Sequence, residues 1–280
     1  MLRALVQRAM RMPNPPQGSS LSYKALAICL LAAPLLHAAE LRVCADPNNM
    51  PFSNKQQQGF ENRIADLLAR DLGATVHYTW WLERRNYVRN TLQAGRCDVL
   101  LGVPAGMEGA LTTRPYYRSE YVLVYRGDRG LKIDSLYDPA LAKLRIGVHI
   151  MDENYAPPAF VLAKRGIVRN VVPYSLYGAP GEPNPPAKIF AALDRGEIDT
   201  AIVWGPLAGY YAHLRKPPLK VVAIREAERV RAIPLAYDIA IGVRKSRADL
   251  ETRIQKALDR DRARVEQILA AYHVPLGRGV

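Results

Sequence analysis

The chain has 280 residues, 49% of them hydrophobic, and 39 Lys and Arg against 26 Asp and Glu give a net charge of +13. This composition excludes a disordered, collagenous or coiled-coil protein, and the length suits one large domain or two of ordinary size. Three cysteines are too few for a disulfide scaffold, and the 21 prolines and 19 glycines are dispersed, as expected of many short connections between strands and helices.

Residues Met1 to Lys24 carry Arg3, Arg8, Arg11 and Lys24 and no acid, and an apolar run from Ala25 to Leu36 precedes Ala38 and Ala39. The pattern reads as a secretory signal peptide over 1–39. Its apolar run is about a dozen residues, short of the roughly 20 that a membrane-crossing helix needs, so the mature protein is expected to be exported and not integral to a membrane. Cys29 follows Ile28, where a lipoprotein signal wants a small residue. Without the leader the charge is about +9, which serves general solubility or, on a sharper reading, attraction to an acidic partner or an anionic membrane surface. No basic stripe is interleaved with stacking aromatics, which argues against nucleic acid.

Leu41-Arg42-Val43-Cys44-Ala45 opens an apolar strand. Phe60, Ile64, Leu67, Leu68 and Leu72 then follow helical spacing up to the Gly73 stop, and Val76, Tyr78 and Trp80 alternate as a strand. A second helix is expected over Arg85 to Ala94, a strand over Asp98 to Gly102, an irregular stretch over Val103 to Thr113 and a long strand over Tyr116 to Tyr125.

The plan then repeats. Leu144-Arg145-Ile146-Gly147-Val148 matches the first strand, and Leu193, Gly196 and Asp199-Thr200-Ala201-Ile202 match Leu92, Gly95 and Asp98-Val99-Leu100-Leu101. Helices are expected near Phe160 to Lys164, Ala187 to Leu193 and Leu207 to Leu214, and strands near Val168 to Val172 and Ile198 to Trp204. Pro173 to Pro186, with five prolines, is expected to be an irregular loop at the surface or a cleft edge. Tyr237 to Val243 reads as a strand, and Ser246 with Asp249 as a capping-box-like start for a last helix. The economical architecture is α/β: two Rossmann-like lobes, 40–127 plus 236–280 and 128–235, joined by a two-strand hinge around a cleft.

Asp46-Pro47-Asn48-Asn49-Met50-Pro51-Phe52-Ser53, Gly59-Phe60-Glu61, Gly95-Arg96-Cys97-Asp98-Val99 and Arg114-Pro115-Tyr116-Tyr117 resemble the type II periplasmic solute-binding proteins of family 3 over most of the mature chain. Cys44-Ala45-Asp46-Pro47-Asn48-Asn49, Trp80-Trp81 and Val103-Pro104-Ala105-Gly106 resemble more narrowly the quinoprotein-dehydrogenase-associated, MoxJ/XoxJ-type branch. That resemblance implies a periplasmic accessory protein assisting maturation or activation of a PQQ-dependent methanol or alcohol dehydrogenase, with the dehydrogenase or its cytochrome as partner. The alternative is a transporter's receptor for a small ligand.

The same resemblance implies where an amino acid would be held: an Arg after the third strand for its carboxylate, a Ser or Thr at a helix start in the second lobe, and an Asp for its amine. Here those positions read Gly106, with no basic residue from Val103 to Thr113, then Met151-Asp152-Glu153-Asn154, and Trp204. The ligand is therefore not expected to be a standard amino acid. Open α/β sheets bind ligands at the carboxyl ends of their strands. Cleft candidates there are Asp46, Asn48, Asn49 and Phe52, then Trp80, Trp81 and Arg84, Met107 to Thr113, and Asp152, Glu153, Tyr155, Tyr177 and Trp204. For Phe52 and Tyr116 core packing is the favoured reading, for Asp98 and Asp199 a structural role at the strand entrance, and for Trp80 and Trp81 core or contact roles are balanced.

Cys44 and Cys97 enter an oxidising compartment, which suggests a bridge. If strands one and three align at Asp46 and Gly102, however, the cysteines are staggered by roughly 10 Å, past the usual limit of about 7 Å between Cα atoms. Both readings stand at this point. His77, His149, His213 and His273 lack ligand-like spacing, and no nucleophile elbow or phosphate-binding glycine loop occurs. No metal, no cofactor and no enzymatic activity are expected, the one enzymatic alternative being a lyase using Asp152 or Glu153 as general acid.

Overall fold

The computed structural model describes residues 39–151, 154–178, 182–225 and 233–277. The expected leader, Asp152 and Glu153 lie outside the described residues. In chain order the strands and helices are β1 (Ala39–Ala45), β2 (Asn48–Asn49), β3 (Ser53–Asn54), α1 (Phe60–Asp71), β4 (Ala74–Trp80), β5 (Val99–Pro104), β6 (Leu111–Thr112) and β7 (Tyr117–Tyr125). They continue as β8 (Ile146–Met151), β9 (Asn154–Tyr155), α2 (Pro157–Lys164), β10 (Val171–Ser175), α3 (Lys188–Arg195), β11 (Thr200–Trp204), α4 (Gly205–His213), β12 (Lys220–Ala223), β13 (Ala236–Val243), α5 (Ala248–Arg260) and α6 (Arg262–Ala271).

The main sheet runs β10-β8-β11-β7-β13-β5-β1-β4. At each end a half-sheet is parallel, with β1 between β4 and β5 and β8 between β10 and β11. Antiparallel β7 and β13 join them. β7 pairs with β13 through Tyr117 to Glu120 and with β11 from Tyr121 onward, so its partner changes between Glu120 and Tyr121.

Strand alternation sends side chains to both faces, and both faces are covered. Val122 and Val124 pack with Phe190, Val203 and Leu207, whereas Leu123 and Tyr125 pack with Leu136, Leu162 and Ile202 on the opposite face. At the other end of the sheet Leu41, Ile64, Leu68, Ile241, Ile254 and Val265 form a third core under α1, α5 and α6.

The internal repeat has a side-chain counterpart. Arg42 of β1 grips Asp98 with Nε and Nη2 at 2.8 and 2.9 Å and also donates to the Gly95 carbonyl. Arg145, immediately before β8, grips Asp199 at 3.1 and 2.8 Å and donates to the Gly196 carbonyl. Each aspartate closes the entrance to the next strand, and Gly95 and Gly196 end their turns at φ +72° and +69°.

Several local expectations are corrected. The helix expected over Arg85 to Ala94 forms only over 87–93, starting after Asn86 at φ +64° and winding as a π-helix over Arg89–Gln93. Pro173 lies inside β10 rather than in a loop, which an edge strand tolerates because its outward N–H needs no partner. The last helical region begins at Ala248 after Arg247, not on a Ser246 cap, and breaks at Asp261 into two helices.

Candidate functional site

The carboxyl ends of β1 and β4 lead into two connected segments. Asp46 follows β1 and is 8% exposed. Its Oδ1 accepts the Asn48 amide at 2.7 Å and its Oδ2 the Glu83 amide at 2.6 Å. Burial raises the Asp46 pKa, and these two amides oppose that shift.

Both segments reach the loop that follows β10. The Asn48 side chain donates to the Glu182 carbonyl at 2.5 Å and accepts the Asn184 amide at 3.1 Å, pairing with that backbone much as a neighbouring peptide would. Arg84 Nη2 donates to the Gly178 carbonyl at 2.9 Å. Asn49 turns instead to Glu83, donating to Oε2 at 3.0 Å. On a neighbouring path, Tyr211 of α4 donates its hydroxyl to the Met50 carbonyl at 3.0 Å.

The loop after β1 also builds the start of α1. The Phe60 and Glu61 amides donate to the carbonyls of Pro51 and Phe52, satisfying donors that a helix start leaves open. Only glycine fits at position 59, where a Cβ would stand 1.9 Å from the Phe52 oxygen. This close approach sets Glu61 beside the end of β5. There Gly102, at φ +74°, leaves the space in which a Cβ would lie 2.2 Å from Glu61 Oε1.

Glu61 and Glu83 were not singled out by the sequence, although Glu61 stands in the Gly59-Phe60-Glu61 motif. Burial, with the Glu83 charge second, pushes the Glu61 carboxyl up to about 8. Glu83 remains open to solvent, yet enclosure by the surrounding protein, with the Asp46 charge second, pushes it up to about 7. Tyr87 is 7% exposed with an unpartnered hydroxyl, and burial plus the charges of Glu83, Glu61 and Asp46 raise its pKa further.

Trp204, the last residue of β11, packs edge-on against Tyr121 at 5.3 Å and Tyr237 at 5.9 Å. Trp204 and Phe52 each pack against the core under α1 and the core around Phe190. Phe52 also meets the Phe60 ring at 5.2 Å. Tyr155 is 43% exposed on the short strand β9, and Tyr177 accepts the Ser175 hydroxyl through its backbone carbonyl. Trp80 stacks on Tyr78 at 4.5 Å, whereas the Trp81 ring is 36% exposed beneath the Arg96 guanidinium at 4.9 Å. At the expected carboxylate clamp, Gly106 forms a tight turn at φ +73°, and its amide donates to Thr112 Oγ1 at 3.0 Å.

Cys44 and Cys97 form a disulfide with Cα atoms 5.5 Å apart. The three-residue stagger is present, since Cys44 pairs with Leu100, but Cys97 precedes β5 in a turn that brings it back alongside. The bridge lies in a small core with Tyr87, Leu92, Leu100 and Val103. Among the described residues no group of three or more His, Cys, Asp or Glu could hold a metal ion, and no helix is long and apolar enough to cross a membrane. A groove of about 490 Å³ lies elsewhere, between the β7/β13 junction and α5 and α6, and is flanked by the Arg114–Asp259 and Arg118–Asp238 ion pairs.

Comparison with known proteins adds an independent line. The model of the bacterial extracellular solute-binding proteins, family 3, matches residues 41–273. Protein MoxJ of Paracoccus denitrificans is 34% identical over 264 residues, 90% of this chain and 94% of the relative. Protein MoxJ of Methylorubrum extorquens is 31% identical over 251 residues, 85% of this chain and 82% of the relative. Among solved structures, MxaJ from Methlophaga aminisulfidivorans superposes with TM-score 0.75 at 27% identity, and the periplasmic binding protein XoxJ from Methylobacterium extorquens with TM-score 0.69 at 34% identity. Both cover 85% of this chain and 100% of their own. An ancestral cationic amino acid solute-binding protein shares the fold alone, with TM-score 0.65 at 19% identity.

Proposed function

The chain belongs to the bacterial extracellular solute-binding proteins of family 3 and has their mixed α/β, type II periplasmic-binding-protein fold, and on that premise we propose that it is an exported, non-enzymatic accessory protein of a PQQ-dependent alcohol dehydrogenase, assisting its maturation or activation. The lobes are 40–127 with 236–280, and 128–235, with the cleft between them. The reading draws its partner from the resemblance to MoxJ, MxaJ and XoxJ, which extends over nearly the whole mature chain.

The observation that carries it is Trp204. Where an amino-acid receptor offers an acid to the ligand's amine, this chain sets an indole wedged against Tyr121 and Tyr237. Gly106, at the carboxylate clamp, offers no positive side chain. A free amino acid would find neither of its charged ends matched.

A second reading, a transport receptor for a small polar ligand that is not a standard amino acid, is favoured by Glu61 beside β5 and Glu83 after β4, whose raised carboxyls can donate hydrogen bonds. Affinity purification of the tagged mature protein from its own periplasm at low salt, with mass spectrometry of proteins and small molecules, separates the two. Recovery of a quinoprotein dehydrogenase supports the accessory role. A stoichiometric small molecule without a protein partner replaces it with the transport role.

A further inference from the structure

The tandem Trp80-Trp81 pairs a half-buried ring with an exposed one, and the exposed member begins a distinctive loop. From Trp81 to Asn86 every residue is exposed, Leu82 by 42%. The loop is nonetheless fixed at its base. The Trp81 amide donates to the Ala45 carbonyl at 3.0 Å, the Glu83 amide to Asp46, and the Tyr87 amide to the Arg84 carbonyl at 2.9 Å. Tyr87 itself is buried beside the Cys44–Cys97 bridge.

This anchored loop presents two large apolar side chains within a field of cations. Arg84, Arg85, Arg89 and Arg96 are all exposed, and Arg96 lies over the Trp81 ring. The single acid among them, Glu83, engages Asn49. Exposed apolar side chains set rigidly among arginines have the composition of a protein-binding hot spot, where little ordering entropy is lost on association.

We propose that residues 81–86, with Arg89 and Arg96, form the docking face for an acidic protein surface centred on an apolar depression. Resting on the reading above, that surface belongs to the dehydrogenase. Two apolar side chains are too few to anchor a protein in a bilayer, so charge complementarity with a protein is the stronger fit. Because Arg84 also reaches Gly178 in the loop after β10, a partner seated here contacts a residue that links the two segments.

The test uses the mature chain and the purified quinoprotein dehydrogenase of the same cells, with affinity read at low ionic strength. The pair Arg85→Glu and Arg89→Glu should weaken binding by more than about tenfold, and Trp81→Ala by about tenfold, without lowering the unfolding temperature. The pair Lys143→Glu and Lys164→Glu makes the same charge change at exposed positions outside this loop, and should alter binding by less than about threefold. Equal effects of the two pairs, or unchanged binding by the first, overturn the docking face while leaving the partner intact. If the wild-type chain does not bind the dehydrogenase, the functional reading itself has failed. Binding to anionic phosphatidylglycerol vesicles that is lost in the Arg85→Glu, Arg89→Glu variant instead assigns the face to a membrane and overturns protein docking.

Discussion

Asp46 accepts the backbone amide of Glu83 at 2.6 Å and thereby joins the end of β1 to the segment after β4. Because its other oxygen holds the Asn48 amide, one carboxylate positions both side chains, Asn48 and Arg84, that reach the loop after β10. Asp46→Ala leaves two amides without their acceptor and should cost about 2–3 kcal/mol in urea unfolding, with Asp46→Asn costing less because one acceptor remains.

Asn48→Ala should leave global stability nearly unchanged yet expose the Asn184 amide, which donates to its side chain. Hydrogen exchange is the direct measurement. Faster exchange at Asn184, with the β8 amides unaffected, is the expected pattern.

Glu61 gives stability a pH dependence of definite sign. Its folded pKa, about 8, lies above the ordinary 4.5, so the folded state holds a proton that the unfolded state releases. Its contribution is therefore complete at acidic pH and is lost as pH rises toward 8. The unfolding temperature should fall between pH 5 and 8, and Glu61→Gln should flatten that fall.

Gly102→Ala meets both a positive φ and the Glu61 carboxylate. It should destabilise by at least about 1–2 kcal/mol. The double variant with Glu61→Ala should recover the part due to contact and leave the backbone part, which a double-mutant cycle separates.

The disulfide closes 53 residues of chain, so replacing Cys44 and Cys97 with serine should cost about 4 kcal/mol in the chain-entropy model. Asp98→Ala should cost more than Asp199→Ala, because Asp98 is the more buried and receives Arg244 and Arg247 as well as Arg42.

Much of the frame was legible because it is periodic. Phe60, Ile64 and Leu68 marked α1, and the repeated Arg, Gly and Asp marked the two parallel half-sheets. The site was less legible because its contacts are long-range and backbone-directed. Nothing near Asn48 announces a bond to residues 182 and 184. Glu61 was hidden by its helical pattern, since its burial and its approach to Gly102 and Glu83 come from distant parts of the chain. The late start of the helix expected from Arg85 follows from Asn86, whose left-handed backbone local propensity alone does not prescribe. The cysteine stagger was a sound register argument that failed because Cys97 lies outside the strand.

The proposed role is service to a quinoprotein dehydrogenase rather than to an amino-acid transporter. Its most direct measurement is calorimetric titration of the mature chain, at low salt, against the purified dehydrogenase and against a panel of free amino acids. Heat and saturation are expected with the dehydrogenase and none with any amino acid. Saturable binding of an amino acid, with no response to the dehydrogenase, would contradict it.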